Sequence, residues 1–291
     1  DGGRWTLARF EGGNISMLRE EVFGHPRAIP VSGDFNGDGI WEVGVYIDGN
    51  WYVDLNGNGR WDEGDLWAKL GTEADSPVTG DWDSDGKTDI GIFGPAWPRD
   101  PWAIRHEPGL PDADNHPTRI AAKSKNLPPT ADEATSGGRV MKRTAAGRPR
   151  TDLIDHVFNY GTPGDHPLAG DWNGDGIRAI GVFRDGKWSL DLDGDGRFTE
   201  ADASFTFGQA GDLPVVGDFN GDGIDEVGIY RDGKWIIDTN GNRQIDAHDV
   251  VFELGGADEV PVVGDWDGDG IDDPGTYRAG AAEDRLSRRA G

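Results

Sequence analysis

Short apolar stretches separated by Gly, Asp and Asn recur along this chain. The unit that begins at Pro214 contains four of them, at 215–217, 226–230, 234–237 and 250–254. Each stretch has the length of a short strand and is bounded by residues typical of turns. Arg231-Asp232-Gly233, between the second and third stretches, is a hairpin-turn signal. The pattern predicts four short β-strands per unit.

The unit repeats at a nearly constant period. Equivalent prolines begin the successive units, at Pro30, Pro77, Pro167, Pro214 and Pro261. Three of the four intervals are 47 residues, and the interval from Pro77 to Pro167 is 90 residues, so one unit carries an insertion. Four strands in such a period match the size of a β-propeller blade. We therefore predict an all-β fold, a β-propeller of five four-stranded blades.

The two ends of the chain complement each other. The first residues, DGGRWTLARFEGGN, align with the middle of a unit at Asp185, whereas the last unit supplies only a first half. Strands from both termini can therefore complete one blade and close the ring; an open array cut at arbitrary points is the alternative. The expected units are a closing blade from 1–29 and 261–280, blades at 30–76, 77–166 with an insert at 97–155, 167–213 and 214–260, and a tail at 281–291.

Composition agrees with a turn-rich β fold. The chain of 291 residues has 12 Trp, 11 Phe, 47 Gly and 17 Pro, and it has no Cys, so disulfides and thiol chemistry are excluded. No apolar run approaches the length of a membrane span and no signal-peptide pattern opens the chain. We expect a chain that begins after processing or is cut from a longer protein.

The formal charge of −26 comes from acids at fixed positions in aromatic-rich repeats, unlike those of a disordered acidic tail. Such a chain is a poor candidate for nucleic-acid binding, which needs clustered Lys and Arg. Many of the acids lie in one loop motif that occurs in five copies, DFNGDGIWE, DWDSDGKTD, DWNGDGIRA, DFNGDGIDE and DWDGDGIDD. Oxygen side chains on alternate residues, with Gly between them, suit Ca²⁺.

This first loop resembles the calcium loops of FG-GAP/VCBS propeller repeats, as in integrin α-subunits. The resemblance implies side-chain ligands at positions 1, 3, 5 and 9 and a carbonyl ligand at position 7. The implied ligands are Asp34, Asn36, Asp38, Ile40 and Glu42; Asp81, Asp83, Asp85, Lys87 and Asp89; Asp171, Asn173, Asp175 and Ile177; Asp218, Asn220, Asp222, Ile224 and Glu226; and Asp265, Asp267, Asp269, Ile271 and Asp273. Position 9 of the third loop is Ala179, so we expect that site to be weak or empty.

A second acidic loop follows the third strand in three units. DLNGNGRWDEGD, DLDGDGRFTEAD and DTNGNRQIDAHD place oxygen groups in the register of an EF-hand loop and resemble dockerin calcium loops. The expected ligands are Asp54, Asn56, Asn58, Arg60, Asp62 and Asp65; Asp191, Asp193, Asp195, Arg197, Thr199 and Asp202; and Asp238, Asn240, Asn242, Gln244, Asp246 and Asp249.

Two departures from the EF-hand pattern predict lower affinity. Position 12 is Asp where a bidentate Glu is usual, and position 6 of the last loop is Arg243 where Gly is usual. The residues after the loop are expected to form strands rather than a helix. The resemblance therefore implies the ion site but not the protein partner of dockerins. A single loop of this composition is often only an Asx-turn, but repetition at a fixed period favours up to about eight calcium ions.

Repeated aromatic positions have two interpretations. Position 2 of the first loop is Phe or Trp (Phe35, Trp82, Trp172, Phe219, Trp266), and the third strand carries Trp5, Trp51, Trp102, Trp188 or Trp235. Their equivalence favours packing between blades over sugar-stacking platforms.

The insert is the only long basic region, with 10 basic and 8 acidic residues from 97 to 155. It is a candidate site for self-association or for docking of a protein partner, and a surface loop is the alternative.

The sequence predicts an extracellular or cell-surface, calcium-binding β-propeller that serves as a structural, adhesion or surface-assembly module. The alternative is a carbohydrate-binding, lectin-like module of a larger secreted protein. No catalysis is expected, because the six His are scattered, neither HExxH nor G-x-S-x-G occurs, and most carboxylates belong to the loops. No membrane span is expected.

Overall fold

The computed structural model describes residues 2–82, 86–93, 140–141, 160–194 and 198–280. Within these ranges the chain forms nineteen β-strands and no α-helix, which confirms the predicted all-β class. No helix of this part of the chain is long and apolar enough to cross a membrane.

The strands form five antiparallel sheets. The first sheet has the order β18-β19-β1-β2, with β1 Arg4–Glu11, β2 Asn14–Val22, β18 Val260–Gly264 and β19 Asp273–Arg278. The second has the order β3-β4-β5-β6-β9, with β3 Ile29–Gly33, β4 Glu42–Ile47, β5 Asn50–Val53, β6 Leu66–Lys69 and β9 Val140–Met141. The third pairs β7 Ser76–Gly80 with β8 Asp89–Phe93. The fourth has the order β10-β11-β12-β13, with β10 His166–Gly170, β11 Ala179–Arg184, β12 Lys187–Leu190 and β13 Ala203–Thr206. The fifth has the order β14-β15-β16-β17, with β14 Leu213–Gly217, β15 Glu226–Arg231, β16 Lys234–Ile237 and β17 Val250–Glu253.

The sheets are arranged as the blades of a propeller. The first strands of the sheets neighbour one another in a closed circle, in which β3 lies between β18 and β7, and β10 lies between β7 and β14, which returns to β18. Four sheets have four or five strands, and the two-stranded sheet β7-β8 lies between two of them in the circle. The predicted β-propeller is thus confirmed, with four complete blades in the described residues. The outer strands expected for 77–166 fall largely outside the described residues.

Local sequence explains the strand boundaries. In the unit at 214–260, the four observed strands coincide within two residues with the four apolar stretches. The turn between β15 and β16 consists of Asp232 (φ 52°) and Gly233 (φ 95°), and two positive φ values in succession match the twist of adjoining strands. Asp48-Gly49 and Asp185-Gly186 repeat this turn in two other blades.

One blade contains both ends of the described chain. Its inner strands β18 and β19 come from the C-terminal part, and its outer strands β1 and β2 come from the N-terminal part. β1 and β19 pair antiparallel, with Trp5 opposite Tyr277 and Leu7 opposite Gly275. Backbone hydrogen bonds between distant segments therefore close the ring, and the inner edge of β1 is covered.

Buried tryptophans hold each complete blade together. Trp5, Trp51, Trp188 and Trp235 occupy equivalent positions and are fully buried. Each indole Nε1 donates a hydrogen bond to a backbone carbonyl 18 or 19 residues ahead, at 2.8–3.0 Å. Satisfying the indole N–H removes the penalty of burying it, so the ring contributes its full apolar surface to the core. Trp102 lies outside the described residues.

The aromatic residues at position 2 of the first loop also belong to the core. Phe35, Trp82, Phe219 and Trp266 are at most 6% exposed, and Trp172 is partly buried between two blades. Packing, the interpretation favoured from the sequence, is therefore their observed role.

Of the insert at 97–155, the structure describes one strand. β9 (Val140–Met141) pairs antiparallel with the outer strand β6 of the preceding blade, with Ala68 opposite Met141. The remaining residues of the insert, the tail at 281–291 and the loop residues Asp83, Asp85, Asp195 and Arg197 lie outside the described residues.

Candidate metal centre

The first acidic loop has the same internal hydrogen bonds in four copies. The Asp at position 1 accepts backbone N–H groups from positions 4, 5 and 6, as Asp34 does from Gly37 (2.6 Å), Asp38 (3.1 Å) and Gly39 (2.9 Å). Asp171, Asp218 and Asp265 repeat these contacts. The glycines at positions 4 and 6 have φ between 75° and 87°, which only Gly adopts without strain. The sequence motif therefore fixes the loop backbone.

In three of these loops the fold brings three carboxylates together. One ligand oxygen from each member of a group lies within 4.8 Å of the others. The groups are Asp34, Asp38 and Glu42; Asp218, Asp222 and Glu226; and Asp265, Asp267 and Asp269. Three oxygens at this separation can coordinate one cation, and acidic oxygens are the ligands that Ca²⁺ prefers. The donor set thus fits a hard divalent cation.

Without a cation, the surroundings of the position-9 glutamates disfavour their charged form. Burial raises the pKa of Glu42 to about 8, and the nearby charges of Asp34 and Asp38 add to the shift. Glu226 has the same shift, to about 8, for the same reasons. Each glutamate also accepts the backbone N–H of position 2, from Phe35 and Phe219 at 2.9 Å, so the carboxylate is held toward its loop. A bound cation would offset the cost of burying these charges.

The third copy of the first acidic loop, at 171–179, has fewer acids than the others. Asp171 keeps the loop backbone in place, but Ala179 occupies position 9, and the side-chain amide of Asn173 donates to Asp175 at 3.1 Å. Ile177 follows in the same conformation, its N–H bonded to Asp175 Oδ1. Asp171 and Asp175 belong to no group of three acids in the described residues, and the weak or empty site stays a prediction.

The second copy of the first acidic loop, at 81–89, is described in part. Asp81 accepts the N–H of Gly86 at 2.9 Å, and Asp89 accepts the N–H of Trp82 at 3.4 Å. These contacts match those of the loops at 34–42 and 218–226. Asp83 and Asp85 are outside the described residues, so the convergence of this ligand set stays a prediction.

The EF-hand-like loops are anchored by acids at both ends. The position-1 carboxylates of Asp54, Asp191 and Asp238 are at most 1% exposed. The position-12 carboxylate accepts the N–H of position 9, at 2.6 Å from Asp62 to Asp65 and at 2.8 Å from Asp246 to Asp249. Asp191, Asp193 and Asp202 form a further group of three within 4.8 Å.

Two of the position-12 acids have a buried oxygen without a hydrogen-bond partner in the described residues. The oxygens are Oδ1 of Asp65 and Oδ1 of Asp249. A buried acceptor without a partner costs about 1–3 kcal/mol, which a metal ion would offset. Asn56 and Asn58 donate to Asp62, and Asn242 donates to Asp246, so the amides at positions 3 and 5 lie against the acid at position 9.

Arg243 replaces the usual Gly at position 6 of the last loop. Its backbone has φ 60°, and its N–H donates to Asp238 at 2.6 Å, as a glycine N–H does in the first EF-hand-like loop. The guanidinium lies 4.9 Å from the ring centroid of Phe205, a cation–π contact. The loop therefore keeps its shape at the cost of a strained residue, one of the departures noted from the sequence.

A ring of hydrogen bonds connects the first loops around the propeller axis. In every copy the backbone N–H of position 8 donates to the position-1 carbonyl of a neighbouring loop. The bonds run from Trp41 to Asp265 (2.9 Å), Thr88 to Asp34 (2.7 Å), Arg178 to Asp81 (3.0 Å), Asp225 to Asp171 (2.9 Å) and Asp272 to Asp218 (2.8 Å). Five loops are thereby joined into one closed circle.

The side chains at position 8 include a buried ionic cluster that sequence reasoning missed. Arg178 Nη1 lies 3.0 Å from Asp225 Oδ2, and Nη2 lies 3.6 Å from Asp272 Oδ2. The guanidinium also lies 5.0 Å from the ring centroid of Trp41. Both aspartates are buried, and each accepts the N–H of a position-1 residue as well. The sequence signal that could have revealed this cluster is the presence of Arg178, Asp225 and Asp272 at position 8 of three copies of the loop.

Comparison with known proteins adds little to this picture. No protein-family model matches the chain, and no curated protein matches it. Among solved structures, a chain of a Tc holotoxin pore from Photorhabdus luminescens is similar, with 15% sequence identity and a TM-score of 0.36. The similarity covers 96% of this chain and 16% of that chain. A similarity this low carries no argument about fold or function.

Proposed function

We propose that this chain is a calcium-binding β-propeller in which Ca²⁺ ions stabilise the blades. The observation that carries the proposal is the convergence of three carboxylate oxygens in four separate loops, at positions predicted from the sequence. Convergence of like charges costs free energy unless a cation is present, and the cost recurs in each loop. The Asp- and Asn-rich, oxygen-only donor set favours Ca²⁺ over Zn²⁺, which prefers nitrogen and sulfur.

The proposed setting is extracellular or at a cell surface, as a structural, adhesion or surface-assembly module. Loops that lack the bidentate Glu at position 12 suit the millimolar calcium found outside cells rather than tight cytosolic buffering. We propose no enzymatic activity, because the carboxylates are assigned to the acidic loops and the sequence contains neither HExxH nor G-x-S-x-G. Self-association or docking of a protein partner through the basic insert at 97–155 is part of the same proposal.

The test is a native mass measurement of the full chain with and without Ca²⁺, which gives ion count and oligomeric state together. Asp38→Asn and Asp222→Asn should each remove one ion. Asp175→Asn is the matched control, because its loop already lacks the position-9 carboxylate. An ion count that does not change in the first two variants would contradict the assigned sites, and Mg²⁺ binding in equal number would contradict the choice of metal.

Carbohydrate binding is the second candidate. A groove of about 310 Å³ is lined by Trp172 and Phe205 from one blade and by Asn220 and Asp222 from the next. Aromatic rings beside oxygen and amide groups are an arrangement that can bind a sugar ring. Titration with a panel of oligosaccharides, repeated on Phe205→Ala, would test this candidate; equal binding by the variant would count against the groove.

A further inference from the structure

The loop at 265–273 differs from its counterparts because a basic side chain lies against its acids. Arg9 Nε lies 3.0 Å from Asp267 Oδ2, and Arg9 Nη2 lies 2.7 Å from Asp269 Oδ2. In the described residues, no Arg or Lys forms an ion pair with the acids at positions 1, 5 and 9 of the loops at 34–42 and 218–226. A guanidinium is always charged under these conditions, so this loop already contains a cation.

The construction of the closing blade brings Arg9 to this place. In the other complete blades the third strand ends three residues or fewer after its buried Trp, and an EF-hand-like loop follows. Strand β1 instead continues from Trp5 to Glu11 and turns through Gly12-Gly13 into β2. Counted from the buried Trp, the position of Arg9 is occupied by Leu55, Leu192 or Thr239 elsewhere, none of them charged.

The acids of this loop are occupied differently from those of the other loops. Asp269 Oδ1 accepts the N–H of Ile271 at 3.1 Å, and Oδ2 accepts Arg9, so both of its oxygens are engaged. In the loop at 34–42, the equivalent Oδ2 of Asp38 accepts only an amide hydrogen from Asn36. A guanidinium also repels a divalent ion only a few ångströms away.

The loop would otherwise be a strong cation site. Position 3 is Asp267 where three other loops have Asn, so the loop carries four carboxylates at its ligand positions. Asp273, 1% exposed, has a buried Oδ2 without a hydrogen-bond partner, while its Oδ1 accepts the N–H of Phe10 at 2.6 Å. Burial raises the pKa of Asp273 to about 7, and the charges of Asp267 and Asp269 add to the shift.

We infer that the guanidinium of Arg9 takes the place of the metal ion in the loop at 265–273, so that this loop binds no calcium in the native protein. The inference rests on the proposed calcium function of the other loops. Its consequence concerns ring closure: Arg9 and Asp269 are 260 positions apart. An internal cation at their contact would let the two ends of the chain join before, and independently of, calcium loading.

Calcium counting by native mass spectrometry tests the inference on the full chain. Asp269→Asn alone should leave the ion count of the native protein unchanged. Arg9→Met should gain one ion, and the added change Asp269→Asn should remove that gain. Arg4→Met, on the same strand and exposed, is the control and should leave the count unchanged.

Loss of one ion on Asp269→Asn in the native background would overturn the inference, as would an unchanged count in Arg9→Met. Failure of the calcium function itself has a different signature, since the native protein would then bind no ions at all. If Arg9→Met does not fold, Arg9→Gln keeps a hydrogen-bond donor without the charge and should gain the same single ion. The Asp269→Asn result does not depend on either Arg9 variant.

Discussion

Replacing Arg178 with Met should destabilise the propeller more than any exposed ion-pair substitution. The change removes a guanidinium that lies 3.0 Å from Asp225 and 3.6 Å from Asp272, and it leaves two buried carboxylates without their cation. The Arg178 side chain is 19% exposed, and the Asp225 and Asp272 side chains are 4% and 7% exposed, so solvent screens the cluster weakly. Breaking such a pair by removing one partner costs about 3–5 kcal/mol.

The loss should depend on pH. Burial raises the pKa of Asp272 to about 7, although Arg178 opposes the shift, so removing Arg178 raises that pKa further. A carboxylate with a raised pKa in the folded state contributes its stability at low pH and loses it as pH rises through that value. The variant can relieve the charge at pH 5 by binding a proton. The full loss is therefore expected at pH 8, and a smaller loss at pH 5.

Urea unfolding in saturating Ca²⁺ measures the effect, with Arg184→Met as the matched control. Within the described residues Arg184 forms an ion pair with Asp165 at 2.7 Å and also donates to the carbonyls of Thr162 and Pro163, and its side chain is 44% exposed. An exposed pair of this kind is worth about 0–1 kcal/mol, so the control should lie close to the native protein. Equal stability of the two variants at pH 8 would refute the reasoning, as would a greater loss at pH 5.

Three further predictions concern the ions and the core. Chelation should lower the melting temperature strongly, because each ion at 100 times its Kd stabilises the fold by about 2.7 kcal/mol; an unchanged calorimetric transition in excess chelator would contradict structural calcium. The stabilisation by a fixed free Ca²⁺ concentration should grow between pH 5.5 and 8.5, because Glu42 and Glu226, with pKa values of about 8, release their protons over this range. Flat pH dependence in calorimetry would count against these ligands. Trp51→Ala should cost about 3–5 kcal/mol in urea unfolding, because a fully buried ring and its hydrogen bond to Leu70 are lost, whereas Trp61→Ala, at an exposed position, should cost far less.

Features that depend on near neighbours in the chain could be predicted from the residues alone. A strand needs a few alternating apolar residues, a two-residue hairpin needs Asp-Gly with positive φ, and an acidic loop needs Gly at positions 4 and 6. All of these signals lie within one period, so the strands of the unit at 214–260 and the carboxylate group of Asp218, Asp222 and Glu226 could be predicted from the printed residues. The period then fixed the class of fold.

Contacts between side chains of different units depend on how the blades pack in the folded protein. Position 8 of the first loop differs between copies and matches no motif, but closure of the ring puts Arg178 beside Asp225 and Asp272. Arg9 likewise gave no signal as a single basic residue in a strand, until the N-terminal strand paired with the C-terminal one and brought it to Asp267 and Asp269. Such contacts depend on how blades pack around an axis, and local propensity carries no information about that geometry. The sequence predicted that these acids bind cations. Whether a loop holds a metal ion or an arginine side chain depends on which strands the closed ring brings beside it.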